Sequence, residues 1–145
     1  MKRIFIANDH AGTQLKTEMN VFLKKLGYEV TNYGTDTEDP VDYPDYVHQV
    51  TGAVKDSKDV GILICGSAQG VAIAANKNRH IRAAVCWEPE VASLSRKHND
   101  ANVLCLPARF VTEQRANTIA LVFLQTKFEG GRHMRRIEKI DQYII

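Results

Sequence analysis

Apolar positions along the chain fall into two alternating kinds of pattern. Short runs at Ile4 to Ala7, Tyr28 to Tyr33, Val60 to Cys65, Arg82 to Cys86 and Ala101 to Leu106 read as strands. The third run, Val60-Gly-Ile-Leu-Ile-Cys65, has no polar position, as expected of a strand covered on both faces. Between the runs the spacing becomes helical. Leu15, Met19, Phe22, Leu23 and Leu26 share one helix face, and Gly27 stands where a residue closing the helix in the left-handed conformation belongs. Pro44 suits the first turn of a second helix, through about Lys55. An Ala-rich helix follows Gly70 and ends near Asn78, and Glu88 to His98 form a fourth. Ala116, Ile119, Ala120 and Phe123 mark a fifth helix, and Ile137, Ile140 and Ile144 a last one.

Strand and helix alternate with short connections and no hairpin signal. That order implies right-handed crossovers and a parallel sheet. The expected architecture is α/β: a three-layer, doubly wound, Rossmann-like five-stranded parallel sheet with helices on both faces, as one domain over residues 1–145.

Composition narrows the class. Of the 145 residues, 44% are hydrophobic and 25% charged, the balance of a globular chain and not a disordered one. Net charge is +2, with Lys and Arg scattered, so no basic stripe invites nucleic acid. No apolar stretch approaches the roughly 20 residues needed to span a bilayer, and the N-terminal run is too short for a secretory signal. Cys65, Cys86 and Cys105 are odd in number and widely spaced, which fits neither a disulfide framework nor a zinc site. These features predict a reduced cytoplasmic protein without membrane or nucleic-acid partners.

In doubly wound sheets, ligands bind beyond the carboxyl ends of the strands. The third strand ends in Cys65-Gly66-Ser67-Ala68-Gln69-Gly70, leading into a helix. Gly66 and Gly70 permit close approach of a ligand, and N–H groups at the turn suit an anion. The same field is expected to lower the cysteine pKa from about 8.5 toward neutrality, and a thiolate beside amide donors suits proton abstraction next to a carbonyl. The alternative is a small core cysteine, as Cys86 and Cys105 are expected to be. The loop is neither a dinucleotide fingerprint nor a Walker A sequence. Asp9 and His10 close the first strand at an equivalent place, although Asp9 alone suits a helix cap. His98-Asn99-Asp100 follows a helix of about 16 Å that runs back along the sheet, so His98 belongs far from Cys65 of its own chain. A site using both needs a partner subunit; the alternative is a polar turn. Arg132 and Arg136, four apart, can clamp one phosphate or simply form a solvated basic face. Arg109 follows the fifth strand and can add a third positive charge.

Taken together, the stretches NDHAG at 8–12, DYPDY at 42–46, ICGSAQGVAIAANK at 64–77, IRAAVCWEP at 81–89, SRKHNDANVL at 95–104, Arg109 and EGGRHMRRIEKI at 129–140 resemble the type B ribose-5-phosphate isomerase family, which includes galactose-6-phosphate isomerase subunits. The match follows family order over almost the whole chain.

The resemblance implies a metal- and cofactor-independent aldose–ketose isomerase, acting on ribose 5-phosphate and ribulose 5-phosphate through a cis-enediolate. It implies a homodimer or dimer of dimers with shared sites, the C-terminal helix reaching toward the partner. Cys65 would be the general base and Ser67 would assist proton movement between the sugar oxygens. Backbone N–H groups of Gly66, Ser67, Ala68, Gln69 and Gly70 would hold the enediolate. His98 would be the ring-opening acid, with Asp9, Asn99 and Tyr43 contacting the sugar. His10, Arg109, Arg132 and Arg136 would hold the phosphate, with His98, Asn99 and Arg109 donated by the partner. Two departures stand out. Ala68 replaces a glycine common in the family loop, and Val71 stands where relatives lacking the cysteine carry a glutamate. The alternatives are the same chemistry on galactose 6-phosphate, allose 6-phosphate or a four-carbon sugar phosphate, or a non-catalytic binding subunit.

Overall fold

The computed structural model describes residues 2–143. Its strands are β1 (Arg3–Asn8), β2 (Glu29–Asn32), β3 (Asp59–Cys65), β4 (Ala83–Val85) and β5 (Val103–Pro107). They form one all-parallel sheet in the order β2-β1-β3-β5-β4. The helices are α1 (Thr13–Lys25), α2 (Tyr43–Ala53), α3 (Gln69–Ala75), α4 (Pro89–Asn99), α5 (Glu113–Gln125) and α6 (Arg132–Ile140). A 3₁₀ turn, His10–Gly12, joins β1 to α1, and another, Asp141–Tyr143, follows α6. Ile144 of the expected last helix lies outside the described residues.

Period-two alternation divides the core between the two faces of the sheet. Ile4, Ile6, Ile62, Ile64, Leu104 and Leu106 face α1, α4 and α5, packing with Met19, Leu23, Ala92, Ile119 and Phe123. Ala7, Leu63, Cys65, Val103 and Cys105 face α2 and α3, packing with Val47, Val50, Val71 and Ala75. Every residue of β3 is buried, which is why its sequence shows no polar alternation. Gly61 is obligatory there: a Cβ would stand 2.8 Å from Val50 and 3.0 Å from Val103.

Helix α1 closes as its sequence requires. Gly27 has φ +91°, its N–H donates to Lys24 O, and Tyr28 N–H donates to Leu23 O. Leu26 departs from expectation. It is the capping residue where the backbone leaves the helix, so its side chain rotates off the buried stripe and is 45% exposed. The Ala-rich helix ends earlier than predicted, at Ala75, because the Asn78 side chain donates to the carbonyls of Ala74 and Ala75 and turns the chain.

Candidate active site

Two groups of candidate residues emerge, one at each end of the sheet. At the carboxyl ends stand Asp9 and His10 after β1, the Cys65 loop after β3, and Arg109 after β5. Asn8, buried at the end of β1, organises the first of these turns. Its Nδ2 donates to Asp9 O at 2.7 Å and to Thr13 Oγ1 at 3.0 Å. Asp9 does cap the 3₁₀ turn, accepting from Ala11 N–H at 2.9 Å through Oδ1. His10 Nδ1 accepts from Val41 N–H at 3.3 Å, which leaves Nε2 carrying the ring proton of the neutral tautomer. Gly12 brings this turn against β3, since a Cβ would meet Ile64 O at 2.7 Å.

The Cys65 loop is roofed by two side chains. The Arg109 guanidinium lies over Gly66, within 3.1 Å of where a Cβ would be, and the Arg109 N–H donates to Gly66 O at 3.1 Å. The Tyr43 ring lies over Gly70, with Cζ 2.6 Å from its would-be Cβ. Both glycines are therefore needed for close approach. Ala68 takes the left-handed conformation, φ +63°, as the residue preceding α3. The loop thus keeps a glycine-like path with an alanine in it, at a backbone cost of about 1–2 kcal/mol. Beside the loop a cavity of about 530 Å³ is lined by Ser67, Gln69, Trp87, Phe110 and Arg115, among others. Ser67 and Gln69 are exposed, whereas Cys65 is 5% exposed.

The electrostatics of the thiol reverse the expected direction. Burial pushes the Cys65 pKa up, and the Asp9 carboxylate adds to this. N–H groups of Val71, Ala68 and Ser67 directed at the sulfur oppose the rise without cancelling it. Some loop amides expected to face a substrate oxyanion therefore serve the sulfur in the free chain. Cys86 is pushed to about 11 by burial, and Cys105 is raised by burial and by both other thiols. Of the three thiols, only Cys65 has amide donors supporting its anion.

The second group lies at the amino ends. His98 lies in the last turn of α4, and its ring stacks on that of His133 at the start of α6, centroids 4.6 Å apart and planes 17° apart. Glu129 Oε1 lies 3.6 Å from His98 Nε2 and 3.8 Å from His133 Nε2. Burial, His98, Arg132 and Arg136 hold the His133 pKa down against the opposing pull of Glu129. Asn99 is the last residue of α4, and its carbonyl accepts from Arg82 Nε. Helix α6 stays at this end of the molecule. It starts beside His98 and finishes where Asp141 accepts from His80 N–H and Arg79, in the α3–β4 connection. Arg132 and Arg136 are both exposed.

This division corrects the expected assignment of residues to chains. Arg109 attends its own chain's Cys65 loop and is not held apart from it as a partner's contribution. Arg132 and Arg136 go with His98 and Asn99, at the far end of the sheet from Cys65 and His10. The reason is the course of the chain after α5, which turns at Gly130 and Gly131, φ +69° and +58°, and returns α6 over α4. Glu129 and His133 also belong to this cluster. Their place in EGGRH was visible, but their convergence on His98 depends on that turn.

The described residues match the model of the Ribose/Galactose Isomerase family over residues 4–140. The chain belongs to this family. It is 47% identical over 141 residues to ribose-5-phosphate isomerase B of Escherichia coli, covering 97% of this chain and 95% of that one. It is 46% identical over 143 residues to the probable ribose-5-phosphate isomerase B of Mycoplasma genitalium, covering 97% and 94%. The ribose 5-phosphate isomerase structure from Thermotoga maritima superposes with a TM-score of 0.95 at 47% identity, covering 97% and 98%. The Mycoplasma genitalium enzyme with bound ribulose-5-phosphate gives 0.94 at 45%, covering 97% and 95%. The isomerase described here is thus an aldose–ketose isomerase with the expected five-stranded parallel sheet. Among the described residues, no helix is long and apolar enough to cross a membrane.

Proposed function

We propose that this isomerase interconverts ribose 5-phosphate and ribulose 5-phosphate through a cis-enediolate, with Cys65 as the base. The observation that carries the reading is the Cys65 loop, with N–H groups aimed at the sulfur and Tyr43 and Arg109 roofing its two glycines. The thiolate removes the C2 proton of the open-chain aldose while negative charge moves onto O1, and returns the proton to C1 as the ketone forms at O2. Ser67 moves the hydroxyl proton between the two oxygens. The free N–H donors of the loop meet the oxyanion, where fixed dipoles are most effective in excluded water. His98 acts as the acid of ring opening, Asp9, Asn99 and Tyr43 contact sugar hydroxyls, and His10, Arg109, Arg132 and Arg136 bind the phosphate. The chain works as one cytoplasmic domain, and the reaction needs no metal or cofactor.

Because the two groups lie at opposite ends of one sheet, the working site is assembled across a homodimer. One protomer supplies Asp9, His10, Tyr43, Cys65, Ser67 and Arg109, and its partner supplies the amino-end group. Exposed Trp87 and Phe110 beside the Cys65 loop, 50% and 73% accessible, give that end an apolar surface for the partner to cover.

The test is isomerisation in heavy water with a panel of four-, five- and six-carbon aldose phosphates. Solvent deuterium should appear at the carbon beside the carbonyl, with the five-carbon substrate preferred. Cys65→Ala should lower kcat by about 10³-fold or more while sugar-phosphate binding, read by calorimetry, persists. Full activity in Cys65→Ala overturns the assignment of the base, and preference for another chain length overturns the substrate.

A further inference from the structure

The second cavity of the molecule, about 500 Å³, opens at the amino ends of the strands, and the isomerase reaction as proposed does not use it. Its lining includes Lys2, Lys55, Arg82, Arg96 and Lys127 against the carboxylates Asp56, Asp59 and Asp100. All of these carboxylates are already engaged. Asp59 and Asp56 pair with Arg3 at 2.7 and 3.2 Å, and Asp59 also accepts from the N–H groups of Lys55 and Asp56. Asp100 pairs with Arg96 at 2.8 Å and Arg82 at 3.5 Å. Among the described residues, no carboxylate lies within ion-pair distance of Lys2, Lys55 or Lys127.

The cations also crowd one another. Burial holds the Lys2 pKa down, and the neighbouring Arg96 guanidinium lowers it further, with Asp100 only partly opposing. Among the described residues the Lys2 ammonium makes one hydrogen bond, a long one of 3.5 Å to Ser57 O. Arg96 is fixed by bonds to Thr126 O, Ala101 O and Asp100 Oδ1, with its guanidinium over the Phe123 ring. The Arg96 guanidinium is fixed and already paired with Asp100, so the Lys2, Lys55 and Lys127 charges beside it are left without an ion-pair carboxylate among the described residues.

We propose that this amino-end cavity binds a small phosphate-bearing anion, at a site separate from the isomerase centre. Lys2, Lys55 and Lys127 would supply the unengaged charge and Arg96 the fixed wall. Asp100 caps α4 directly after His98 and Asn99, so the ligand would sit against the end of the helix that carries the proposed acid. The site's separateness rests on the assignment of the substrate phosphate to Arg132 and Arg136, and the experiment keeps the two apart.

Calorimetry with inorganic pyrophosphate should detect binding to Arg132→Ala/Arg136→Ala protein, with the non-isomerisable ribitol 5-phosphate titrated in parallel. The unaltered enzyme should bind pyrophosphate at the same site. Lys2→Gln/Lys127→Gln should weaken pyrophosphate binding at least tenfold in both backgrounds, with isomerisation of ribose 5-phosphate unchanged. If ribitol 5-phosphate binds the amino-end site as tightly as pyrophosphate, the natural ligand is the enzyme's own substrate class; if not, it is another phosphorylated metabolite. Pyrophosphate binding lost in Arg132→Ala/Arg136→Ala protein, or unchanged in Lys2→Gln/Lys127→Gln, overturns the proposal. Neither result touches the assignment of Cys65, which stands or falls on the Cys65→Ala kinetics.

Discussion

Cys65 shows what a single position reveals and conceals. Its place at a strand end before a glycine loop was legible because a parallel strand must present its carboxyl end to the ligand side. The direction of its pKa was not. Amide donors lower a thiol and burial raises it, and the balance depends on Ala68, Val71 and Asp9 packing around the sulfur, which no local pattern specifies. Asp9→Asn removes a charge that opposes ionisation, so the midpoint of Cys65 alkylation by iodoacetamide should move to lower pH. An unmoved or raised midpoint would show that Asp9 does not face the sulfur. All three thiols ionise less readily in the fold than in the open chain. The unfolded state therefore loses protons first as pH rises above about 8.5, and stability must fall from there through about 11. Thermal melts across this alkaline range should show a declining Tm, and Cys86→Ala should lessen the decline.

Among the elements, the fold follows the sequence pattern where one periodicity persists and departs from it where the backbone changes course. Strand β3 and the buried face of α1 followed directly from the spacing of Ile62, Ile64, Leu15, Met19 and Leu23. Leu26 fits the same arithmetic, yet is exposed because the helix ends beneath it. The loop before α3 is fixed more tightly than its sequence suggests. In Gly70→Ala the new methyl would meet Tyr43, costing about 1–3 kcal/mol by overpacking. Denaturant unfolding should register that loss, and Tyr43→Ala in the same chain should return most of it. Equal destabilisation with and without the tyrosine would mean that the backbone of α3, and not the ring, resists the methyl.

For the molecule as a whole, alternating strands and helices announced the doubly wound sheet and the distance between His98 and Cys65. The side to which Arg132 and Arg136 belong was hidden, because the glycine pair before α6 permits several exits and only packing against α4 selects one. The proposed division of the site between two protomers makes a sharp prediction for mixtures of variants. Cys65→Ala mixed with Arg132→Ala should recover about a quarter of wild-type activity, since half the dimers are mixed and each mixed dimer holds one intact site. His98→Ala mixed with Arg132→Ala should recover none, since both lesions fall in the same half. Rescue in the second mixture, after verified subunit exchange, would place the arginines with Cys65. The central strand has a consequence of its own. β3 is hydrogen-bonded along both edges and covered by helices on both sides, so its peptide protons can reach water only when the entire sheet comes apart. They should be the last in the protein to trade for deuterium, at rates set by global unfolding. The sulfur proposed as the base is thus mounted on the part of the chain least able to move, and any adjustment to a ligand there must come from the loop beyond it.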